Sequence, residues 1–276
     1  RLTIRTINMA LDSQYYGDPT KQILNRMKRI LVPTDFSDCA QAAADVAIAI
    51  AVKTNAEVYF LHLHAPAPTG GHMAMHGGGS HEEHQHHDCS GPARARLDQL
   101  VKAAEHQGIS AKPALVLDED WKQVEKHATA FSIDLIVMGS HGVNGFRRIF
   151  LGSRALQMIR HTILPVLIIK SPIPDFKIRT VVYVTALEDN EKEALAFLDQ
   201  LASPWNATIH LLHILSITLN SEETNVSRTK MEQLTKGLKT HIEFSICNEE
   251  AGIKKVAVDL DADLVVLTTH GGNSLI

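Results

Sequence analysis

Short apolar runs alternate with segments of helical pattern along most of the 276 residues. An apolar run at residues 29–33 precedes an Ala-rich helical segment at 37–53, for which Ser37 or Asp38 provides the cap, and a second apolar run follows at 57–62. The same alternation predicts helices at 92–107, 120–131 and 153–161 and strands at 114–117, 133–138 and 165–169. Apolar runs that alternate with helices indicate an α/β protein with a parallel sheet.

The pattern begins again after a short proline-containing connector at residues 171–175. Each apolar run of the second part has a counterpart in the first, since 180–185 matches 29–34, 207–213 matches 56–62, and 263–271 matches 134–142. We therefore expect an internal duplication with a period of about 145–150 residues. Because the sequence stops at Ile276, soon after the last match, we expect a C-terminally truncated second copy whose sheet has one edge without a partner strand.

The domain organisation that we predict has three segments. Residues 1–26 form an N-terminal extension, an appendage whose native origin is open, and residues 27–171 and 177–276 form the two copies. Met27 leads directly into a strand and is the natural start that we prefer, whereas a helical arm over residues 22–29 is the alternative. Residues 1–26 lack an apolar stretch followed by a cleavage site, so we expect no signal peptide.

Composition restricts the class of protein. The chain is 45% hydrophobic and 21% charged with a formal net charge of −4, which favours a globular protein and disfavours nucleic acid as a partner. Cys39, Cys89 and Cys247 are far apart and odd in number, as expected of a protein in the reducing cytoplasm. No run reaches the roughly 18 apolar residues of a membrane span, so we expect no membrane partner.

A glycine-rich segment follows the apolar run at 133–138. It reads Gly139-Ser140-His141-Gly142, then nine residues, then Gly152-Ser153 at the predicted start of a helix. Glycines let backbone N–H groups approach an anion, and the first turn of a helix adds unpaired N–H groups and the positive end of the helix dipole. The spacing fits neither a Walker A loop nor the Gly-x-Gly-x-x-Gly motif, so we predict a phosphate site of another nucleotide-binding fold.

Other polar residues follow the ends of the predicted strands. In a parallel sheet ligands bind beyond the carboxyl ends of the strands, and Asp35, Leu63 and Gly139 lie at three such ends. Asp35 is placed to accept hydrogen bonds from a ribose hydroxyl or a base amine. It is equally placed to cap the helix that follows it.

These residues resemble those of the universal stress protein family, in its tandem form with two domains in one chain, over residues 27–276. ATP-binding members of that family carry Gly-x2-Gly-x9-Gly-Ser/Thr after the fourth strand and an aspartate in a Pro-Thr-Asp turn after the first, and both motifs are present here. The resemblance implies two Rossmann-like domains of the adenine nucleotide alpha hydrolase-like type, each with a parallel five-stranded sheet, the second one truncated. It also implies ATP or another adenine nucleotide as the ligand.

The resemblance further implies a role for each residue of the site. Thr34, Asp35 and the backbone of Leu63 would hold the adenine and ribose, with Met138 against the base, and the glycines, Ser153 and Arg154 would surround the phosphates. The full set of nucleotide-binding residues expected in this way is Pro33, Thr34, Asp35, Leu63, Met138, Gly139, His141, Gly142, Gly152, Ser153, Arg154 and Ala155.

The second copy departs from this pattern. Ala186 stands at the position of Asp35 and Thr268 at that of Gly139, and only His270 and Gly271 remain of the glycine motif. A threonine adds a side chain where the backbone must approach a phosphate, so we expect no nucleotide in the second copy. Its expected role is to dock against the first copy, as the domains of family dimers do, with a homodimer as a further assembly.

Two features near the glycine motif were weighed for chemistry. Arg147 and Arg148 either neutralise a triphosphate or lie in a solvated loop, and the sequence favours neither. Ser140 and His141 are adjacent and lack a third orienting group, so we expect no nucleophile and base pair and no catalytic residue there.

Histidine is concentrated between Gly70 and Gly91. The residues of this His-rich loop that suit zinc, copper or nickel are His72, His76, His81, His84, His86, His87 and Cys89. Their irregular spacing lacks the signature of a closed zinc site, and the many glycines indicate a flexible insertion, so a transition metal is only weakly supported. His62, His210 and His213 end apolar strands, and we expect them to be packed and hydrogen-bonded rather than ligands.

We therefore expect a cytoplasmic module that binds an adenine nucleotide and signals stress through its conformation or association. One alternative is a slow ATPase or nucleotide-transferring enzyme on the same fold, although Asp35 alone does not make a general base. The other is a metal buffer or sensor that uses the His-rich loop.

Overall fold

The computed structural model describes residues 6–10, 27–64, 90–118, 120, 122–140, 153–214, 221–247 and 252–269. The strands are β1 (Thr6–Ala10), β2 (Arg29–Pro33), β3 (Glu57–Leu63), β4 (Ala111–Val116), β5 (Leu135–Gly139), β6 (Val166–Ile169), β7 (Thr180–Thr185), β8 (Thr208–Ile214), β9 (His241–Cys247) and β10 (Leu264–Thr269). The helices are α1 (Asp38–Thr54), α2 (Gly91–Glu105), α3 (Lys122–Ala130), α4 (Ser153–His161), α5 (Glu191–Ala202), α6 (Ser221–Thr235) and α7 (Gly252–Asp259), with a short 3-10 turn at Ser203–Trp205.

The strands lie in one ten-stranded sheet in the order β4-β3-β2-β5-β6-β1-β10-β7-β8-β9. Strands β2 to β6 form one parallel set and β1 with β7 to β10 form a second. The two sets run in opposite directions because β1 is antiparallel to β6. The predicted α/β class with parallel strands is confirmed, but the two sets are joined edge to edge and are not separate five-stranded sheets.

Strand β1 corrects our expectation for the N-terminal extension. We expected an appendage, yet all five residues of β1 pair with residues 265–269 of β10. Residues 6–8 also pair with β6 on the other side. The alternative of a helical arm over residues 22–29 is wrong in its described part, because residues 27–28 lie outside any helix and Arg29 begins β2. The edge of β10 that we expected to lack a partner is the one that β1 occupies.

The sequence explains where α1 begins and ends. The Ser37 side chain accepts the N–H of Ala40 at 3.2 Å, which makes Ser37 the cap, as one of the two predicted candidates. Asn55 ends the helix with a left-handed φ of 57° and donates its N–H to Ala51. Alanines line the buried side of α1, so the helix lies close to the sheet at the strands that carry the candidate site.

Helices cover both faces of the sheet, and one apolar core extends through both halves of the chain. That core includes buried residues of α1, α2, α5 and α6, among them Ala47, Leu97, Leu198 and Met231. Helices α3 and α4 cover the opposite face of β2 to β6, and α7 covers part of that face in the second set. Among the described residues, no helix combines the length and the apolar character needed to cross a membrane.

One local geometry occurs at matching positions in the two halves. Asp134 Oδ2 accepts the backbone N–H groups of Lys28 and Arg29 at 2.7 and 2.9 Å, which ties the start of β2 to the start of β5. Asp263 Oδ2 accepts those of residues 179–180 at 2.8 and 3.2 Å, at the start of β7. The strand orders β5-β2-β3-β4 and β10-β7-β8-β9 also match.

Candidate functional site

The residues predicted from the strand ends lie along one edge of the first parallel set. Strand β2 is parallel to both β3 and β5, so Pro33, Leu63 and Gly139, each the last residue of its strand, lie at the same edge. We call this the first carboxyl edge. Thr34 continues β2 and donates its N–H to Leu61 at 2.8 Å, and Met138 is buried one residue before Gly139. Thr34, Leu63 and Met138 therefore lie at or next to strand ends of the same edge, and their role in binding stays a prediction.

Asp35 lies in a tight turn between β2 and α1. The Thr34 hydroxyl accepts the N–H of Phe36 at 3.0 Å, and Asp35 Oδ1 accepts the N–H of Ser37 at 3.1 Å. The turn forces Phe36 into the left-handed region with a φ of 61°, which is rare for a bulky residue and concentrates at functional sites. Since Ser37 caps α1, the alternative of Asp35 as the helix cap is wrong, and Asp35 remains half-buried at the carboxyl edge.

Three side chains pack around this turn, and the sequence predicted packing and a hydrogen bond only for His62. His62 Nδ1 lies 2.8 Å from the Thr34 carbonyl oxygen, and its ring lies 4.5 Å from that of Phe36. The Arg96 guanidinium from α2 lies 5.3 Å from the Phe36 ring centroid. The contact of Arg96 with Phe36 was not predicted, whereas His62 has a counterpart in His213, whose Nδ1 lies 3.0 Å from the Thr185 carbonyl oxygen.

His62 and His213 are hydrogen-bonded near the ends of their strands, as predicted, whereas His210 lies inside β8 and contacts a carboxylate. His210 Nδ1 lies 3.3 Å from Glu243 Oε2, and Glu243 also lies 3.5 Å from His241 Nε2. Burial lowers the pKa of His210, and the nearby Glu243 carboxylate opposes part of that shift. None of these histidines belongs to a group of three potential metal ligands, and the described part of the chain contains no such group.

Gly139 is packed so closely that a side chain does not fit. A Cβ atom there would lie 2.9 Å from the carbonyl carbon of Cys39 and 3.0 Å from the backbone nitrogen of Ala40. The next residue, Ser140, donates its N–H to Ile169 at 2.8 Å, and the Cys39 thiol donates to the same carbonyl at 3.0 Å. The ends of β5 and β6 and the first turn of α1 are thereby held together.

The helix that was predicted to close the glycine motif has the expected bounds. α4 begins at Ser153, and Arg154 and Ala155 belong to its first turn, with Ala155 buried. A helix that connects two parallel strands begins at their carboxyl edge, so its unpaired N–H groups lie on the side of Asp35 and Gly139. His141, Gly142 and Gly152 lie outside the described residues, as do Arg147, Arg148 and the His-rich loop at 72–89, so these parts remain predictions.

Comparisons with known proteins match the half of the chain that contains this edge. The sequence profile of the Universal stress protein family matches residues 27–170. The chain is 33% identical over 148 residues to a universal stress protein of Methanocaldococcus jannaschii, covering 54% of this chain and 85% of that protein. A universal stress protein of Bacillus subtilis is 26% identical over 146 residues, covering 51% of this chain and 98% of that protein.

Solved structures extend the likeness in fold beyond residue 170. A universal stress protein from Archaeoglobus fulgidus has a TM-score of 0.66 at 18% identity and covers 90% of both chains. A similar protein from Pseudomonas aeruginosa has a TM-score of 0.63 at 17% identity and covers 92% of this chain and 86% of that one. At these identities the likeness concerns the fold alone.

Proposed function

Because the chain belongs to the universal stress protein family, we propose that it is a binding module that holds one adenine nucleotide, ATP in the first instance, at the first carboxyl edge. One observation carries this proposal. The Asp35 turn, the tightly packed Gly139 and the start of α4 converge on one edge of the sheet, where parallel α/β proteins bind their ligands.

Each residue contributes a distinct kind of contact in this proposal. The Asp35 carboxylate accepts a ribose hydroxyl, while Pro33, Thr34, the Leu63 backbone and Met138 line the space for the base. The phosphates accept hydrogen bonds from the backbone N–H groups of the glycine motif, from Gly139 through His141 and Gly142 to Gly152. The first turn of α4, with Ser153, Arg154 and Ala155, adds the positive end of a helix dipole.

In this proposal the second half is a second copy of the domain that docks against the first and binds no nucleotide. The matched strand orders and the repeated Asp134 and Asp263 geometry support a duplication, and the shared core supports docking of the two copies within one chain. Nucleotide occupancy would then alter the conformation or association of this tandem in the cytoplasm and so signal stress.

The experiment that tests the site combines mass analysis and binding. Purified protein should retain an adenine nucleotide that mass spectrometry identifies, and labelled ATP should bind at one equivalent per chain. Asp35→Ala should weaken binding by roughly tenfold or more, the loss of about one charge-assisted hydrogen bond. Asp38→Ala is the matched control, because Asp38 is exposed in the first turn of α1 and lies outside the proposed set.

A second variant tests the glycine motif. Gly142→Val should abolish binding, since a branched side chain would occupy the space that amide-to-phosphate approach requires. Unchanged ATP affinity in both Asp35→Ala and Gly142→Val would overturn the assignment. Multiple-turnover assays of phosphate release separate the binding module from a slow ATPase, because a binding module leaves bound ATP intact.

A further inference from the structure

Glu191 is a carboxylate that the second half buries completely at the carboxyl end of β7, at the first position of α5. Its Oε1 accepts the backbone N–H of Ala186 at 2.8 Å, and its Oε2 accepts the hydroxyl of Thr185 at 2.5 Å. A buried carboxylate is costly unless hydrogen bonds replace its water, so these two donors hold Glu191 where it lies.

The first half contains the same turn with a different residue at the position of Glu191. The Thr34 hydroxyl accepts the N–H of Phe36 at 3.0 Å, and the Thr185 hydroxyl accepts the N–H of Leu187 at 2.9 Å. Phe36 and Leu187 both have a left-handed backbone, with φ of 61° and 63°. Six positions after each threonine stands Ala40 in the first half and Glu191 in the second. A methyl group in one turn thus corresponds to a carboxylate in the other.

Two positions near Glu191 also differ between the halves. Tyr183 is fully buried at the position of Val32, and Thr268 stands at the position of Gly139. The Tyr183 hydroxyl lies beside Glu191 and Thr268 but forms no well-aligned hydrogen bond with a described residue. Burial and the negative charge of Glu191 raise the pKa of Tyr183 well above its ordinary value, so the phenol stays neutral.

We propose that Glu191 is a built-in occupant of the strand-end site of the second half and is the residue that excludes nucleotide from it. This inference rests on the proposed function, because it explains why only one of two similar turns would take an adenine nucleotide. The Glu191 carboxylate uses the hydrogen-bond donors of Thr185 and Ala186.

Exclusion by Glu191 differs from simple loss of the motif. If the changes at Ala186 and Thr268 alone prevented binding, removal of the Glu191 side chain would have no effect on nucleotide. If Glu191 excludes nucleotide, giving this position the alanine of the first half should open the second site. The two explanations therefore differ in the result of one substitution series.

The test measures labelled ATP by equilibrium dialysis in a Gly142→Val background, where the first site is blocked. Glu191→Ala/Thr268→Gly in this background should regain binding toward one equivalent per chain, with at least tenfold weaker affinity than the parent protein. The control Glu191→Gln/Thr268→Gly keeps a side chain of the same size in place and should stay closed. Circular dichroism identifies the variants that fold, and Glu191→Ala with Thr268 retained provides a milder variant, which should regain weaker binding.

Each outcome decides the inference. Regained binding with Ala and none with Gln supports Glu191 as the excluding residue. No binding by folded Glu191→Ala variants, or one equivalent bound by Gly142→Val alone, would overturn it while leaving nucleotide binding by the parent protein intact. Absence of nucleotide on the parent protein would instead overturn the proposed function and this inference with it.

Discussion

At the scale of single residues, Gly139 shows how tightly the candidate site is built. The nearest atoms to a Cβ there belong to the backbone of Cys39 and Ala40, which cannot rotate away as a side chain would. Gly139→Ala should therefore lower the free energy of unfolding by about 1–3 kcal/mol, the usual cost of overpacking. Urea unfolding followed by circular dichroism measures the change.

Gly91→Ala is the matched control for this variant. Gly91 begins α2, and a Cβ atom there would meet nothing within 4 Å, so alanine should leave the stability unchanged or raise it by up to about 1 kcal/mol. Equal stability of Gly139→Ala and the parent protein would mean that the first turn of α1 shifts freely, and the packing argument would be wrong.

His210 makes a second prediction at this scale, one that concerns pH. Its pKa is lowered in the folded state by burial, so protonation favours the unfolded chain, in which the pKa is near 6.5. The stability that neutral His210 contributes is fully present above about pH 6.5 and is lost as the pH falls toward the lowered pKa. His210→Gln should therefore lose less stability than the parent protein between pH 7 and about pH 5.

Glu243 provides the check on that pH dependence. It opposes the lowering of the His210 pKa, and His241 on β9 lowers that pKa further, so Glu243→Gln should make the acid-induced loss of stability larger. Melting temperatures measured across this pH range would show it. A Glu243→Gln profile identical to that of the parent protein would mean that the ion pair has no effect on stability.

At the scale of secondary-structure elements, the apolar pattern predicted most helices and strands within a few residues. Strand β4 was predicted at 114–117 but is Ala111–Val116, because Pro113 weakens the pattern while an edge strand tolerates proline. Strand β1 was missed altogether. Its sequence, Thr-Ile-Asn-Met-Ala, combines two residues that favour strands with Asn and Ala, which do not, and its conformation depends on pairing with strands more than 150 residues away.

The candidate site also has features that the sequence could predict and contacts that it could not. The strand ends next to Asp35, Met138 and Gly139 could be predicted because apolar runs are local in sequence, whereas the binding roles of these residues stay predictions. The Arg96 contact with Phe36 and the Cys39 bond to Ile169 join residues from distant elements, so no local pattern indicates them. Glu191 looks in sequence like an ordinary acidic residue in the first turn of a helix, and only its burial distinguishes it.

Strand β1 makes a prediction about the joint between the two parallel sets. Asn8 pairs with Leu267 on one side and Val166 on the other. Asn8→Pro removes an N–H from the middle of β1 and should lower the free energy of unfolding by about 1–3 kcal/mol, while exposed strand edges increase self-association. Asn8→Ala keeps the N–H and is the matched control in urea unfolding and light scattering. Equal stability and equal mass for both variants would contradict a role for β1 as a joint.

At the scale of the whole molecule, the two halves share one apolar core. Helices α1 and α5 pack against each other, and the backbone N–H of Met27 donates to the Gln200 side chain at 3.1 Å. The ring of Trp205 in the second half lies 5.3 Å from the Lys53 ammonium of the first. Halves that share buried apolar surface lose that stabilisation together, so we expect the chain to unfold in one cooperative transition.

Leu198→Ala tests this cooperativity, because Leu198 is fully buried in the shared core on α5. The substitution should lower the free energy of unfolding by about 2–5 kcal/mol and move the unfolding of both halves together. Trp205 fluorescence in a Trp121→Phe background follows the contact between the halves, and hydrogen exchange of α1 and α5 peptides follows each half. Leu117→Ala, at a position that is 64% exposed, should leave all three signals unchanged. Two separate transitions, with α1 unaffected by Leu198→Ala, would show that the halves unfold independently and that a nucleotide bound to the first cannot stabilise the second.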